Sequence, residues 1–280
     1  MIAPFRTKLN AFAVGCMLVS SPVAAPAQDA DAATLFQTLR LPEIIAIMRE
    51  EGLDYAEQIG NDLFGNAPPA NWSSAVDRIY DAQRMEARVQ SALEEAAAEI
   101  ELGPIIAFFS AEPGAGFLEL ELSARRALLD DDVEQMAKET AAAALADGGA
   151  LVTQVERFVA ANDLVETNLV GALNSTYAFF TGLMEGGGFP AEMTESDILA
   201  DVWGQEDQIR ASTEEWIYAF LLMAYGPADA GDIEAYIAFS ESEAGQTANR
   251  LVFGAFDGMF EEISRALGQT ASRFMMIEDL

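Results

Sequence analysis

Histidine is absent from the chain, and cysteine occurs only once, as Cys16 near the first residue. Lysine is nearly as scarce, since only Lys138 follows residue 27, and a Ser-Lys dyad would depend on it. We predict below that Cys16 is removed with a leader peptide. The remaining chain then excludes a Ser-His-Asp triad, a Cys-His pair and a zinc site with imidazole or thiolate ligands. The composition therefore predicts no catalytic residue, no cofactor and no metal site.

Basic charge is also in short supply. The chain has 15 Lys and Arg residues against 46 Asp and Glu, which gives a formal net charge of −31. Such a chain repels the phosphates of nucleic acid and of anionic lipid, so neither is expected as a partner. Three aspartates at 130–132 raise the alternative of a calcium loop. That stretch lacks the ligand spacing, central glycine and distal glutamate of an EF-hand, so the start of a helix is favoured.

Residues 1–27 have the pattern of a secretory signal peptide. Two basic residues precede a mostly apolar run from Leu9 to Val19, and the Ala-Pro-Ala sequence before residue 28 fits the small-x-small cleavage rule. The run is shorter than the roughly 18–20 residues that span a bilayer, and Cys16 lacks the preceding sequence of a lipoprotein. We expect cleavage after Ala27, a periplasmic or secreted product and no transmembrane span in the mature chain.

The remaining residues predict an all-α, multi-helix bundle. They are rich in Ala, Leu, Glu and Met, with apolar residues at helical spacing and little strand-like alternation. We expect Gly52 to interrupt one helix, and Ser73 or Ser74 to cap a long helix that ends at Gly103.

A Gly-Gly pair after residue 147 predicts a boundary between two halves, an N-terminal helical repeat over 28–147 and a C-terminal helical repeat over 148–280. In the second half, residues 212–215 have the pattern of a capping box in front of residues 216–224. That second stretch is apolar on every side, so its helix is expected to be buried centrally.

One stretch in each half indicates an internal repeat. Residues 232–267 have a looser copy at 105–129. Both stretches predict a short helix, an elbow at a glycine and a longer helix. In the later copy, the short helix is predicted to begin at Asp232. An ordinary helix corner is the alternative interpretation. The identical pairs are Ile106/Ile237, Ala107/Ala238, Phe108/Phe239, Glu112/Glu243, Gly114/Gly245, Leu120/Leu251 and Ala124/Ala255. The residues that we predict to form the structural motif are Phe108, Glu112, Gly114, Phe239, Glu243 and Gly245.

The later copy, YIAFSESEAGQTANRLVFGAFDGMFEEISRALG, resembles the C-terminal signature of the bacterial periplasmic family called domain of unknown function 2059. The shared pattern is an apolar-aromatic helix end, a small polar turn with glycine and a following helix. The resemblance covers residues 214–268 and is weaker over 105–129, where the turn lacks a polar residue after its first glycine. It implies an all-helical exported domain and brings no catalytic residues.

Two functions are compatible with these features. The first is a non-catalytic periplasmic protein that binds an unknown protein, peptide or envelope component through a groove between its two halves. The second is a carboxylate-based hydrolase that acts on envelope glycans, which would need two convergent carboxyl groups with separated pKa values. Acidic residues are so common in this chain that no single pair stands out.

Overall fold

A computed structural model describes residues 31–65, 68–189 and 193–278, with the side chains described up to residue 276. The predicted signal peptide of residues 1–27 and its cleavage site lie outside the described residues. Within the described residues, no helix is both long enough and apolar enough to cross a membrane.

Every secondary-structure element in the described part of the chain is an α-helix, which confirms the predicted all-α, multi-helix fold. The helices in chain order are α1 (Ala32–Thr38), α2 (Leu41–Phe64), α3 (Trp72–Ile79), α4 (Ala82–Ala96), α5 (Gly103–Phe109), α6 (Gly114–Ala127), α7 (Asp131–Asp147), α8 (Ala150–Ala161), α9 (Leu164–Glu185), α10 (Glu195–Trp203), α11 (Glu206–Tyr225), α12 (Ala230–Ser240) and α13 (Glu243–Glu278).

The helix that organises the bundle is α13, whose 36 residues span about 54 Å. Its most extensive contact is with α9, and it also packs against α4, α12 and α3. Two glycines allow the backbones of α9 and α13 to approach closely. A Cβ atom on Gly268 would lie 2.0 Å from the carbonyl oxygen of Phe179, and one on Gly182 would lie 2.2 Å from that of Arg265. The two helices are thus in backbone contact at this crossing.

Buried apolar side chains from Ala32 to Ala271 form one cluster, which includes residues from both predicted halves. An apolar stripe on α13 is part of it, since Leu251, Met259 and Leu267 are all buried. A single hydrophobic core therefore extends across the boundary that the Gly-Gly pair predicts.

Side-chain caps mark two helix starts, one of which the sequence analysis predicts. The side chain of Asp130 accepts hydrogen bonds from the backbone N–H groups of Asp132 and Val133, so the predicted acidic helix start is observed. Thr194 and Asp197 form a reciprocal capping box at the start of α10. In both cases the acidic side chain lies at the positive end of the helix dipole.

The predicted interruption at Gly52 is wrong, because α2 is continuous from Leu41 to Phe64. A Cβ atom at position 52 would lie 2.1 Å from Cε1 of Tyr80. The glycine therefore makes room for a buried tyrosine ring on another segment, and it does not break the helix.

The single long helix predicted from Ser73 or Ser74 is also wrong. Asn71 precedes the helix that starts at Trp72, and the chain breaks at Tyr80 before α4. The side chain of Asp81 then caps α4 by accepting a hydrogen bond from the backbone N–H of Arg84. Trp72 at the start of α3 and Tyr80 at the break are both buried in the core.

The predicted capping box at residues 212–215 is wrong as well. Helix α11 begins at Glu206 and runs through these residues without a break. The hydroxyl of Ser212 donates a hydrogen bond to the carbonyl of Ile209, and Thr213 is buried. The predicted central helix of residues 216–224 is correct for most positions, but Met223 lies at the surface.

Candidate functional site

Both predicted motif segments contain a short helix, a break and a longer helix. Four residues separate α5 from α6, and two residues separate α12 from α13. The predicted elbow at the glycine is displaced, because Gly114 and Gly245 each lie in the first turn of the second helix, after the break at residues 110–113 or 241–242. The predicted helix start at Asp232 is also displaced, because α12 begins at Ala230 after Asp229.

Each motif glycine lies directly against the motif phenylalanine of the preceding helix. A Cβ atom on Gly114 would lie 2.3 Å from Cε1 of Phe108, and one on Gly245 would lie 2.0 Å from the carbonyl oxygen of Phe239. The rings of Phe108 and Phe239 stack on each other, with centroids 4.9 Å apart and planes at 16°. The structure thus brings these four predicted residues together as a packing element.

The remaining two motif residues, Glu112 and Glu243, are exposed at the elbows. They do not join the aromatic contact, so the motif has a buried part that packs and an acidic part that faces solvent. Shared ancestry of the two segments stays a prediction.

A buried carboxyl group lies next to this packing element, and the sequence analysis did not identify it. Glu121 on α6 is 7% exposed, and its Oε1 accepts hydrogen bonds from the hydroxyl groups of Tyr225 and Tyr236, both at 2.7 Å. The two tyrosines come from α11 and α12 and are themselves fully buried. Three helices thus meet at one carboxyl group.

Aromatic rings enclose this carboxyl group. The ring of Tyr236 is stacked between those of Phe117 (centroids 4.1 Å apart) and Phe158 (5.0 Å). Tyr225 meets both phenylalanines edge-on, at 5.1 and 5.3 Å. We call these four rings and Glu121 the tyrosine–carboxyl cluster.

Burial controls the protonation state of this cluster. Loss of hydration raises the pKa of Glu121 from 4.5 to about 8, and the hydrogen bonds from the two tyrosines offset only part of that effect. The pKa of Tyr225 is raised well above its ordinary value, first by burial and then by the nearby Glu121 charge. At neutral pH the cluster is therefore mostly uncharged.

A second buried polar contact lies one helical turn further along α6. The guanidinium of Arg125 donates two hydrogen bonds to Glu51 of α2, Nε to Oε1 at 3.1 Å and Nη2 to Oε2 at 2.9 Å. Its Cζ lies 6.0 Å from the ring centroid of Trp216 on α11. This bidentate pair ties α6 to α2 and leaves the charge of Arg125 compensated.

The sequence does contain a signal for these two buried ionisable side chains. Glu121 and Arg125 are four residues apart and continue the apolar face of α6 that Phe117, Leu118 and Leu122 define. Ionisable residues on the buried stripe of an amphipathic helix are unusual, because burying them is costly. The high acidic content of the chain hid this signal.

These buried groups do not have the arrangement that hydrolysis of a glycosidic bond requires. Glu121 meets two phenol groups and is buried in the core, 7% exposed, where no substrate has access to it. Burial, and then the charge of Glu261, raise the pKa of Asp257 on α13 to about 6. Because Glu261 follows one turn later on the same helix, these two carboxyl groups line up along one face and do not oppose each other across a substrate.

An open apolar groove lies elsewhere, between α7, the start of α8 and α11. Its volume is about 480 Å³, and its lining includes Val133, Met136, Ala137, Ala144, Leu222 and Met223. The side chain of Met136 is 61% exposed at its edge. Gly148 and Gly149, both with positive φ, form the tight connection at one end of the groove. We call this surface the apolar groove.

Within the part of the chain that the structure describes, no group of three or more Asp, Glu, Cys or His side chains could hold a metal ion. Comparisons with known proteins find no match to this chain among protein-family models, curated proteins or solved structures. The tyrosine–carboxyl cluster and the apolar groove are the two features of the described residues with a potential functional role.

Proposed function

We propose that this protein is exported to the bacterial envelope and acts there without catalysis, by binding a protein or peptide segment in the apolar groove. The observation that carries the proposal is the groove of about 480 Å³, with methionine side chains exposed along its edge. Concave apolar surfaces that remain open to solvent are commonly used for binding. Methionine is well suited to such a surface, because its flexible side chain adapts to different partners.

The position of the groove in the chain supports this function. Helix α7 is the last helix of the predicted N-terminal half, and α8 is the first of the C-terminal half. The groove therefore lies where the two predicted halves meet. In contrast, the buried ionisable groups Glu121 and Arg125 are already paired within the core, where they hold helices together.

Export and family membership are parts of the same proposal. The leader pattern of residues 1–27 supports export, and the resemblance of residues 214–268 to the domain of unknown function 2059 family supports a periplasmic location. An internal repeat is supported by the common order of helix, elbow and helix in α5–α6 and α12–α13, with a glycine against a phenylalanine in each.

Photo-crosslinking in cells that carry the protein tests the binding role. A benzophenone amino acid replaces Met136 at the groove, and Leu199 of α10 in a control. Both side chains are exposed, but only Met136 borders the groove. We expect a discrete adduct from position 136 and none from position 199. After identification and purification, the crosslinked partner should bind the unmodified protein.

Two further variants test whether that adduct forms because the partner is bound in the groove. Met223→Glu puts a charge on the groove lining and should abolish the adduct, whereas Leu199→Glu makes the same change on α10 and should keep it. Adducts that form equally at both positions, or that survive Met223→Glu in a folded protein, would contradict the proposed function.

A further inference from the structure

We infer that the apolar groove accepts an amphipathic helix with basic residues on both sides of its apolar face. This inference rests on the proposed function and specifies the class of its partner. Three features lead to this partner: the length of the groove, its apolar lining and the charges next to it.

The groove has the dimensions of a helix-binding site. Its lining on α7 extends from Val133 to Ala144, a distance of about 17 Å along the helix axis. That length corresponds to about three turns of a bound helix, which would present apolar side chains at i, i+3, i+4 and i+7. Small side chains such as Ala137 and Ala144 let the backbone of a partner helix approach closely.

Acidic side chains lie next to the groove. Asp132 and Glu139 are exposed on α7 within one turn of Met136, and Asp147 is exposed one turn after Ala144. On α8, the exposed Glu156 follows Val152 of the groove lining by one turn, and its charge raises the pKa of Tyr218 of α11, a smaller effect than burial. We call these four side chains the acidic rim.

The basic residues of α7 and α8, the helices that carry the acidic rim, do not neutralise it. Lys138 contacts Glu134 at 2.8 Å and Glu215 at 3.8 Å, and Arg157 contacts Glu234 at 2.8 Å. These two cations are thus already paired with other carboxylates. An apolar surface with acidic borders complements a helix that carries leucine-type residues on one face and Lys or Arg beside them.

The same charges disfavour the two other occupants of an apolar groove. A second copy of this chain would bring another net charge of −31, and the two acidic rims would repel each other. An anionic lipid surface would be repelled for the same reason.

Fluorescence anisotropy with purified protein and designed peptides tests the inference. The probe is a labelled peptide of about 14 residues, with leucines at helical spacing and lysines beside them. Its matched controls are a peptide with Glu in place of every Lys and a Leu/Lys peptide of scrambled order. We expect binding of the probe, with affinity that decreases between about 0.05 and 0.3 M salt, and weaker binding of both controls.

Variants of the protein locate the site. Met223→Glu should weaken probe binding by about ten-fold or more, because it puts a charge in the apolar lining. Asp132→Asn combined with Glu139→Gln should weaken binding by about three-fold and reduce its salt dependence. Leu199→Glu on α10 should leave the affinity unchanged, and thermal melts confirm that each variant is folded.

Several outcomes would overturn the inference. Equal binding of the scrambled peptide would indicate attraction to net charge alone, and equal binding of the Glu peptide would remove the role of the acidic rim. Association of the protein with itself or with phosphatidylglycerol vesicles, if abolished by Met223→Glu, would assign the groove to those occupants. A discrete crosslink at Met136 with no affinity for the probe would leave the proposed function standing and reject this partner class.

Discussion

The buried carboxyl group of Glu121 makes the stability of the protein depend on pH. In the folded protein its pKa is about 8, and in the unfolded chain it is close to 4.5. The groups that face it are the hydroxyls of Tyr225 and Tyr236, and Arg125, one turn further along its helix, is paired with Glu51. Glu121 therefore must lose its proton without a nearby cation that is free to compensate the charge.

The sign of the pH dependence follows from which state binds the proton more tightly. Between the two pKa values the folded protein keeps the proton that the unfolded chain releases, so rising pH favours unfolding. The free energy of unfolding falls by about 1.4 kcal/mol per pH unit in this window. Between about pH 5.5 and 8.5 the total loss from Glu121 is about 3 kcal/mol, because the slope flattens above the folded-state pKa.

Thermal unfolding of Glu121→Gln isolates this contribution. Glutamine has the shape of the protonated side chain but does not titrate, so the variant lacks the pH-dependent loss. The difference in melting temperature between this variant and wild type should therefore increase by about 5–10 °C from about pH 5.5 to 8.5. Glu95→Gln on the exposed face of α4 removes the same formal charge and is the matched control. Its melting temperature should change with pH by the same amount as that of wild type.

Two results would refute this reasoning. If the wild type and Glu121→Gln lose stability in parallel over this pH range, Glu121 does not titrate as a buried group. If Glu95→Gln gains as much as Glu121→Gln at high pH, the effect comes from the overall negative charge of the protein.

Further predictions concern packing. Gly245→Ala should destabilise the protein by more than about 1 kcal/mol, because its Cβ would collide with backbone of α12, whereas Gly254→Ala has open space and should stabilise or be neutral in the same melts. Glu243→Gln, at the exposed end of the same elbow, should melt like wild type. Arg125→Ala should cost about 3–5 kcal/mol in denaturant unfolding, because it leaves Glu51 without its bidentate partner in a largely buried position. A loss below about 1 kcal/mol would show that solvent already compensates that carboxylate.

Sequence patterns predicted those features that depend on neighbouring residues. The caps at Asp130 and Thr194 are recognisable because each side chain bonds to backbone groups two or three residues away. The all-α class was predictable for the same reason, since helical periodicity is a local property. Where tertiary contacts decide, the local signal was misleading: Gly52 resembles a helix breaker but accommodates the ring of Tyr80.

The candidate sites were harder to predict. Glu121 resembles one more surface acid in an acidic chain, and only the folded structure places it between tyrosines from α11 and α12. The apolar groove depends on how α7 packs against α11, and α7 has few buried residues to mark its orientation. A helix with small and exposed side chains has a weak hydrophobic periodicity, which does not show which face borders a groove. In this region the sequence predicted only a boundary near Gly148.

Hydrogen exchange with and without the Leu/Lys probe peptide tests the groove most directly. Helix α7 buries little apolar surface, so its amides should exchange faster than those of α9 and α13 in the free protein. Bound peptide should slow exchange in residues 133–152 and 219–223 and leave α10 unchanged. Protection that maps to α10, or that spreads evenly over the acidic surface, would contradict the assignment of the apolar groove as the binding site.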